Sequence, residues 1–196
     1  MSIEAVPTKE QREKICDEIW ESTPKNGEFI ELPEGLSKED FLSFLVNKKG
    51  LLLHGSNNEI ETLEPRQGNC SEKKFGNQRA VYATDDEILP MFYAIQDRTM
   101  IRGTVQSGFS GDRDSDGKFL SKKYRFAMGQ ETLTKQPWSN GIIYILSPES
   151  FEQGTNDAGE PISEHASLIP VRPLARLKVH PHDFPYLDKI EILQKP

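Results

Sequence analysis

Cysteine and long apolar runs are both scarce in this sequence. The two cysteines, Cys16 and Cys70, lie far apart in unlike surroundings, which argues against a disulfide framework and favours a reducing compartment. No run of about 18 apolar residues occurs, so no membrane-spanning helix is predicted. The N-terminus lacks the basic and apolar segments of a secretory signal. We therefore expect a cytoplasmic protein with no membrane partner, and export by another route is compatible with the same features.

Positive charge is also limited. Lys and Arg number 24 against 31 Asp and Glu, which gives a net charge of −7, so a broad electrostatic surface for nucleic acid is not expected. The sequence has neither a glycine-rich phosphate loop nor a G-x-G-x-x-G fingerprint, which excludes dinucleotide binding of the dehydrogenase type. At 196 residues the chain has the length of one domain with a sizeable core.

Two segments have part of a metal-binding pattern. Residues 112–117 match the front half of an EF-hand loop, but the twelfth position is Lys123, where calcium requires a bidentate carboxylate. His180 and His182 are two positions apart on a proline-containing turn and have no third ligand for zinc. We therefore predict no metal site and expect an acidic, solvated loop at residues 112–117.

The first 50 residues have the pattern of a helical cover. A capping box and apolar residues at helical spacing predict a helix over residues 9–21. Ser37 is a typical N-cap for a second helix over residues 38–48, and Gly50 is a typical residue to end it. We expect this cover to be part of the same compact unit as the rest of the chain.

The remainder, residues 51–196, is rich in strand-like segments. Helices early and strands late, without a regular alternation of the two, predict an α+β fold. A short helix is expected to restart at Pro90, and residues 102–118 are expected to form an exposed or partly disordered loop. The predicted strands are 51–53, 80–83, 123–128, 141–146, 166–171, 174–179 and 190–193.

One stretch has the character of a binding site. Three consecutive leucines end in His54-Gly55-Ser56, which predicts a buried strand that presents a polar side chain and a backbone position a ligand can approach closely. A second strand-like run ends in Tyr82-Ala83-Thr84, and Tyr93 follows on the next predicted element. The two strand ends thus supply a histidine, a bare glycine and a tyrosine, and the next element supplies a second tyrosine.

These residues resemble the motifs of the ADP-ribosyltransferases of the diphtheria-toxin and poly(ADP-ribose)-polymerase type. In that family one strand ends in His-Gly-Ser/Thr, a second carries Tyr, a small residue and Ser/Thr, and another Tyr lies on the following helix. A Glu at the start of a late strand completes a His-Tyr-Glu triad. The resemblance implies a fold of two packed, mainly antiparallel sheets with an NAD cleft between them.

The resemblance also implies roles for the matching residues. Tyr82 and Tyr93 would stack on the two faces of nicotinamide, and the Gly55 backbone would pair with the carboxamide. His54 would hydrogen-bond a hydroxyl of the adenosine ribose, and Ser56 would help to place the amide. Ala83 and Thr84 complete the second motif as further NAD-contacting positions.

A carboxylate is needed to hold the nicotinamide ribose and to stabilise the positive charge that develops on it. Glu164 is the best candidate because it precedes the apolar run 166–171, as the family Glu precedes its strand. Glu160 and Glu131 are alternatives. Together with His54 and Tyr82, Glu164 would form the catalytic triad.

The function that the resemblance implies is transfer of ADP-ribose from NAD to an acceptor, with release of nicotinamide. NAD is then a substrate, no metal is required, and water as acceptor would give NAD glycohydrolase activity. The acceptor is unidentified, and a protein is favoured over nucleic acid or a small molecule. An RNA 2′-phosphotransferase on the same fold and an inactive NAD- or ADP-ribose-binding module are the alternatives. Oligomeric state and chain extension to a polymer stay open.

Overall fold

The computed structural model describes residues 7–68, 75–114 and 119–193. Within these ranges the protein is α+β, with few helices and two mostly antiparallel sheets, as predicted. The helices are α1 (Lys9–Ser22), α2 (Lys38–Lys49), α3 (Leu89–Ala94) and α4 (Gln130–Thr134). The strands are β1 (Phe29–Ile30), β2 (Leu52–Ser56), β3 (Arg66–Gln67), β4 (Arg79–Thr84), β5 (Val105–Ser110), β6 (Lys123–Gly129), β7 (Gly141–Leu146), β8 (Glu152–Thr155), β9 (Pro161–Ser167), β10 (Ala175–Val179) and β11 (Glu191–Leu193).

The large sheet has eight strands, seven of them in the order β1, β10, β7, β2, β4, β9, β8, and β3 also pairs with β4. Its pairs are antiparallel except for β1 and β10, which run parallel. All residues of β7 are buried, as expected for a strand covered on both faces. The small sheet has the order β11, β6, β5.

The two long helices begin and end where their sequence signals indicate. Thr8 and Gln11 form the capping box of α1, in which each backbone N–H donates to the side-chain oxygen of the other residue. Ser37 Oγ accepts from the third backbone N–H of α2, and Gly50 ends that helix with a left-handed φ of 65°. The predicted helix bounds are confirmed to within one residue.

One face of the large sheet, called the helix face below, packs against the helices and the small sheet. Trp20 of α1, Phe41 of α2 and Phe92 of α3 share one core with Leu53 of β2 and Phe126 of β6. The N-terminal helices therefore bury their apolar side chains in the same core as both sheets.

The opposite face, called the loop face below, is covered by the chain that joins β2 to β3. The hydroxyl of Tyr144 in β7 donates to Asn58 O at 2.6 Å and accepts from Ile60 N at 2.8 Å. Leu63 and Val171 exchange two backbone hydrogen bonds. These contacts hold the loop against the apolar side chains of β2, β4 and β7.

The prediction of an exposed loop over residues 102–118 is wrong for its first half, where β5 pairs with β6 along its whole length. The ring of Phe109 in β5 contacts Phe119 and Tyr124. Polar residues and Gly108 interrupt the apolar alternation of this strand, so its sequence pattern is that of a loop. Pairing with β6 stabilises it instead.

The prediction of a strand over residues 166–171 is also wrong in its position. β9 ends at Ser167, and the apolar side chains of Leu168 and Ile169 are 65% and 58% exposed. The apolar run is a surface turn, whereas the more polar residues before it pair with β4 and β8. Glu164 consequently lies within the strand and not before it.

The start of α3 is fixed by the fully buried carboxylate of Asp86. Its Oδ1 accepts from the backbone N–H groups of Ile88 and Leu89 at 2.9 and 2.8 Å. Its Oδ2 accepts from Lys122 Nζ at 2.6 Å and from the Tyr124 hydroxyl at 2.7 Å. One side chain thus ties the short helix to the small sheet, and α3 starts within one residue of the predicted Pro90.

No helix in the described ranges is long and apolar enough to cross a membrane. Among the same residues, no group of three His, Cys, Asp or Glu side chains is arranged to hold a metal ion. His180 donates through Nδ1 to Asn140 Oδ1 at 2.8 Å, and Asp183 pairs with Lys38 at 2.5 Å. Residues 115–117 of the acidic loop, and Cys70, lie outside the described ranges.

Candidate functional site

The three strands predicted to carry site residues lie side by side in the large sheet, in the order β2, β4, β9. β4 pairs with β2 through Thr84 and Leu53, and it pairs with β9 through four residue pairs that include Thr84 and Glu164. The structure therefore brings together segment 54–56, segment 82–84 and Glu164 from three distant parts of the chain.

Four of these residues share the helix face of the sheet. Side chains alternate along a strand, and residues directly opposite each other in an antiparallel pair point to the same side. Thr84 is opposite both Leu53 and Glu164, and Tyr82 is two positions before Thr84. Tyr82, Thr84 and Glu164 therefore lie on the same face as Leu53, which is the helix face. Gly55 is two positions after Leu53 in β2, so it lies on that face too.

Among the residues described here, the antiparallel pairing of β2 with β4 consists of one residue pair, Leu53 opposite Thr84. Beyond that pair the imidazole of His54 bridges the strands, because its Nδ1 lies 2.7 Å from the carbonyl oxygen of Tyr82. A carbonyl oxygen can only accept, so Nδ1 carries the hydrogen and Nε2 of the neutral ring keeps its lone pair. His54 is thus prepared to accept a hydrogen bond from a ligand hydroxyl through Nε2.

Burial lowers the pKa of the His54 imidazole below its ordinary value of 6.5. The hydrogen bond to Tyr82 raises this pKa, and the positive charges of Arg98 and Arg66 lower it further. His54 is therefore neutral at physiological pH, which is the state that its proposed role requires.

This shift predicts a pH dependence of stability. Because the folded pKa of His54 lies below the unfolded value of 6.5, the unfolded chain binds more protons in the interval between them. The contribution of the neutral His54 to the free energy of unfolding is fully present above that interval. It is lost as the pH falls through 6.5 toward the folded pKa. We expect the parent to lose stability through His54 as the pH falls from about 7.5 to 5.5, measured by urea unfolding.

The matched control is His54→Asn, which keeps a nitrogen donor toward Tyr82 but does not titrate in this range. The variant should lose less stability than the parent over the same pH interval. Equal losses in parent and variant would contradict the assignment of a neutral, half-buried His54 with a lowered pKa.

Gly55 lies where α3 crosses β2. A Cβ built on Gly55 would come 1.9 Å from the carbonyl oxygen of Pro90 and 3.0 Å from the backbone nitrogen of Ala94. Real side chains do not approach backbone atoms so closely, so only glycine permits this contact. The close packing holds α3, and with it Tyr93, against the strand that carries His54.

Tyr82 is half-buried. Its hydroxyl forms hydrogen bonds with backbone groups of the preceding segment. The hydroxyl accepts from Gln78 N at 3.0 Å and lies 2.9 and 3.1 Å from the carbonyl oxygens of Gln78 and Phe75. The ring of Phe75 meets the Tyr82 ring edge-on, with centroids 6.5 Å apart. These contacts fix the orientation of the Tyr82 ring and engage its hydroxyl, so a stacking role would fall to the ring.

Tyr93 projects from α3 and is 37% exposed. Its hydroxyl forms a hydrogen bond of 2.6 Å with Ser107 Oγ, and its ring packs against Phe92. Ser107 belongs to β5, so the strand missed by sequence reasoning positions one of the predicted site residues. Stacking of Tyr82 and Tyr93 on a ligand stays a prediction.

The two hydroxyl residues of the motifs form local turns. Ser56 Oγ accepts from Asn58 N, and Thr84 Oγ1 accepts from Asp86 N, both at 3.2 Å. Because each hydroxyl oxygen accepts in these bonds, its hydrogen remains available to donate elsewhere. The predicted role of Ser56 toward a ligand amide is therefore compatible with its structural one.

The alternative carboxylates differ from Glu164 in their surroundings. Glu160 lies in the turn before β9, where its Oε2 accepts from Asn156 Nδ2 at 2.8 Å. Glu131 lies on α4, is largely exposed and pairs with Lys135 at 2.7 Å. Neither belongs to β2, β4 or β9, whereas Glu164 is directly opposite Thr84. The geometry therefore favours Glu164 as the carboxylate of this site.

Two arginines that sequence reasoning did not single out lower the pKa of His54 through their charges. Arg66 lies in β3 and Arg98 follows α3, and both act on the imidazole through their charges. Isolated arginines in an acidic, turn-rich sequence have no local signal that marks them as site residues.

Comparison with models of protein families, with curated proteins and with solved structures finds no match to this chain.

Proposed function

We propose that the protein is an NAD-dependent ADP-ribosyltransferase, with residues 51–196 as its catalytic part and residues 1–50 as a cover on the same core. The main support is the position of the predicted residues. His54, Tyr82 and Glu164 come from distant segments, and they lie on three consecutive strands of one sheet. The proposal includes the two-sheet ADP-ribosyltransferase fold, with its NAD cleft where β2 and β4 separate, beside α3.

In the proposed reaction the bond between C1′ of the nicotinamide ribose and the ring nitrogen breaks. The electron pair of that bond leaves with nicotinamide, and positive charge passes to the sugar. An acceptor nucleophile then bonds to C1′ and releases its proton. The carboxylate of Glu164 would hold the ribose hydroxyl and stabilise the charge on the sugar, and this interaction strengthens in the transition state.

The other residues would bind and orient NAD. Nε2 of the neutral His54 would accept from a hydroxyl of the adenosine ribose. The rings of Tyr82 and Tyr93 would hold nicotinamide between them, while the Gly55 backbone and Ser56 would hydrogen-bond its carboxamide. NAD is a substrate in this scheme, and a protein is the favoured acceptor.

Replacing Tyr82 tests the stacking role. Tyr82→Ala should weaken NAD binding about tenfold or more, because it removes an aromatic face and leaves a cavity beside the ligand. Tyr82→Phe should keep the NAD affinity within about twofold of the parent. It should lower the free energy of unfolding by about 1 kcal/mol, because Gln78 N loses its acceptor.

Calorimetric titration of NAD and urea unfolding of the same samples provide both readouts. Unchanged NAD affinity in a folded Tyr82→Ala protein would remove Tyr82 from the site. A large loss of affinity in Tyr82→Phe would show that the hydroxyl contacts the ligand directly.

The proposed function is tested by incubating the purified protein with NAD and measuring nicotinamide by chromatography, with and without a cell lysate. NAD labelled in its adenine would show whether ADP-ribose enters protein, nucleic acid or a small molecule. We expect nicotinamide release and label in protein. Removal of the phosphate from a 2′-phosphorylated oligonucleotide would support the RNA 2′-phosphotransferase instead. Tight NAD binding without nicotinamide release under any condition would support the inactive module.

A further inference from the structure

Glu164 lies at the end of the regular ladder between β4 and β9. Its partner Thr84 is the last residue of β4 that pairs with β9. On the other side the pairing of β9 with β8 shifts its register between Gln153 and Thr155, and residues 162–164 have no partner among the described pairs. The position of the Glu164 carboxylate therefore depends on contacts beyond the regular ladder.

Asp85 supplies contacts to both chain neighbours of Glu164. Its backbone N–H donates to the carbonyl oxygen of Ser163 at 3.3 Å, so the chain after β4 stays attached to the residue before Glu164. Its carboxylate oxygen Oδ2 lies 3.4 Å from Nε2 of His165, the residue after Glu164. These two contacts of Asp85, called the Asp85 clamp below, flank Glu164 on both sides along the chain.

The contact between Asp85 and His165 is shielded from solvent. The His165 side chain is 13% exposed, and its Nε2 and the Oδ1 of Asp85 are buried atoms. Although burial raises the pKa of the Asp85 carboxyl, hydrogen bonds from His165 and Ser163 lower this pKa below its ordinary value of 3.8. Asp85 is therefore a carboxylate at neutral pH. Because a carboxylate oxygen can only accept, Nε2 of His165 carries the hydrogen.

The clamp and the Glu164 side chain lie on opposite faces of the sheet. Ala83 belongs to the apolar cluster of the loop face, and it is directly opposite His165. Asp85 is two positions after Ala83, so by alternation it shares the loop face with His165. Glu164, opposite Thr84, belongs to the helix face. The clamp therefore holds the backbone of Glu164 from the face opposite to its carboxylate.

We propose that Asp85 and His165 are positioning residues, which hold the Glu164 carboxylate at the place where it meets the nicotinamide ribose. This inference rests on the proposed function, because that function assigns Glu164 its role toward the ribose. A displacement of about 1 Å in an active site can cost about 100-fold in rate. Glu164 is open to such a displacement without the clamp, because the ladder with β4 ends there and β8 provides no paired residue.

Removal of the clamp should slow turnover and leave NAD binding unchanged. His165→Ala and Asp85→Ala should each lower the rate of nicotinamide release about tenfold, while calorimetric titration gives an NAD affinity within about twofold of the parent. His165→Gln, whose amide N–H can still donate to Asp85, should keep the rate within about threefold of the parent.

His182→Ala is the matched control for these variants. His182 also lies beside an aspartate, with its Nε2 3.7 Å from Oδ1 of Asp183, but its side chain is 80% exposed. It lies in a short turn after β10 and not in a strand of the sheet. This variant should release nicotinamide at the rate of the parent.

The coupling to Glu164 distinguishes positioning from a general structural role. In the Glu164→Gln protein, the further change His165→Ala should alter the rate by less than about twofold, because the charge that the clamp positions is already absent. A further tenfold loss would overturn the inference, and so would a His165→Gln protein as slow as His165→Ala. A His165→Ala protein that did not fold would be replaced by Asp85→Ala, for which the same coupling is expected.

Amide hydrogen exchange provides a readout that does not depend on turnover. The N–H of Asp85, which donates to Ser163 O, should exchange faster in His165→Ala than in the parent and at the parental rate in His182→Ala. Unchanged exchange at Asp85 would overturn the inference and leave the proposed function intact. A parent that releases no nicotinamide would overturn the proposed function, and faster exchange in His165→Ala would still support the clamp.

Discussion

Glu164→Gln is expected to lower the rate of nicotinamide release by about 10²–10³-fold while NAD affinity changes far less. Glutamine keeps the size of the side chain and one hydrogen-bonding oxygen, but it has no negative charge. The sugar carries its positive charge in the transition state, whereas in bound NAD that charge is on the nicotinamide ring. Binding and turnover should therefore separate, and steady-state kinetics with calorimetric titration on the same protein measures both.

Glu160→Gln and Glu131→Gln are the matched controls, and both should remain active. The carboxylate of Glu160 is engaged by Asn156 in a turn, and Glu131 pairs with Lys135 on α4. If Glu164→Gln released nicotinamide like the parent while one control was inactive, the triad would have to be rebuilt around that residue.

Gly55→Ala is expected to lower the free energy of unfolding by about 3 kcal/mol or more. The added Cβ would lie 1.9 Å from Pro90 O and 2.8 Å from Pro90 C, which are backbone atoms with little freedom to move. Relief requires α3 to shift away from β2, and the buried side chains that α3 contributes to the core, Met91 and Phe92 among them, would lose contacts. Urea unfolding of parent and variant provides the comparison.

Gly108→Ala is the matched control, because it also adds one methyl group to a strand glycine. A Cβ at Gly108 meets no atom within 4 Å, and the residue has an ordinary negative φ. We expect a change within about 0.5 kcal/mol. A Gly55→Ala protein as stable as the Gly108→Ala protein would contradict the close packing of α3 on β2.

The helices could be predicted closely because their signals are local. The capping box at Thr8 and the glycine at position 50 act within one turn of the helices that they bound. The buried strand β7 was equally clear, since six consecutive residues without a charge leave few alternatives. These elements depend little on what lies elsewhere in the chain.

β5 and β9 could not be placed because their pairing partners decide them. β5 contains Gly108 and polar residues, and it becomes a strand through the β6 ladder. At β9 the apolar pair Leu168 and Ile169 suggested a strand, but the large sheet is extended by the polar residues before them. Tertiary pairing outweighs residue preference in both places.

The motif residues of the candidate site could be identified from the sequence because the resemblance rests on short segments. The residues that surround them could not be identified in this way. Ser107 and Asp86 become neighbours of the site only when β5 and α3 are placed against the large sheet. No spacing rule connects residues that meet through separate elements.

The central claim is that NAD binds where β2 and β4 separate. Amide hydrogen exchange of the Glu164→Gln protein, with and without saturating NAD, tests this location without interference from turnover. NAD should slow exchange in residues 54–56, 82–84 and 89–95 and leave β10 and residues 31–39 unchanged. Protection confined to residues 31–39 and 177–183, which line a separate cavity of about 650 Å³, would contradict the claim.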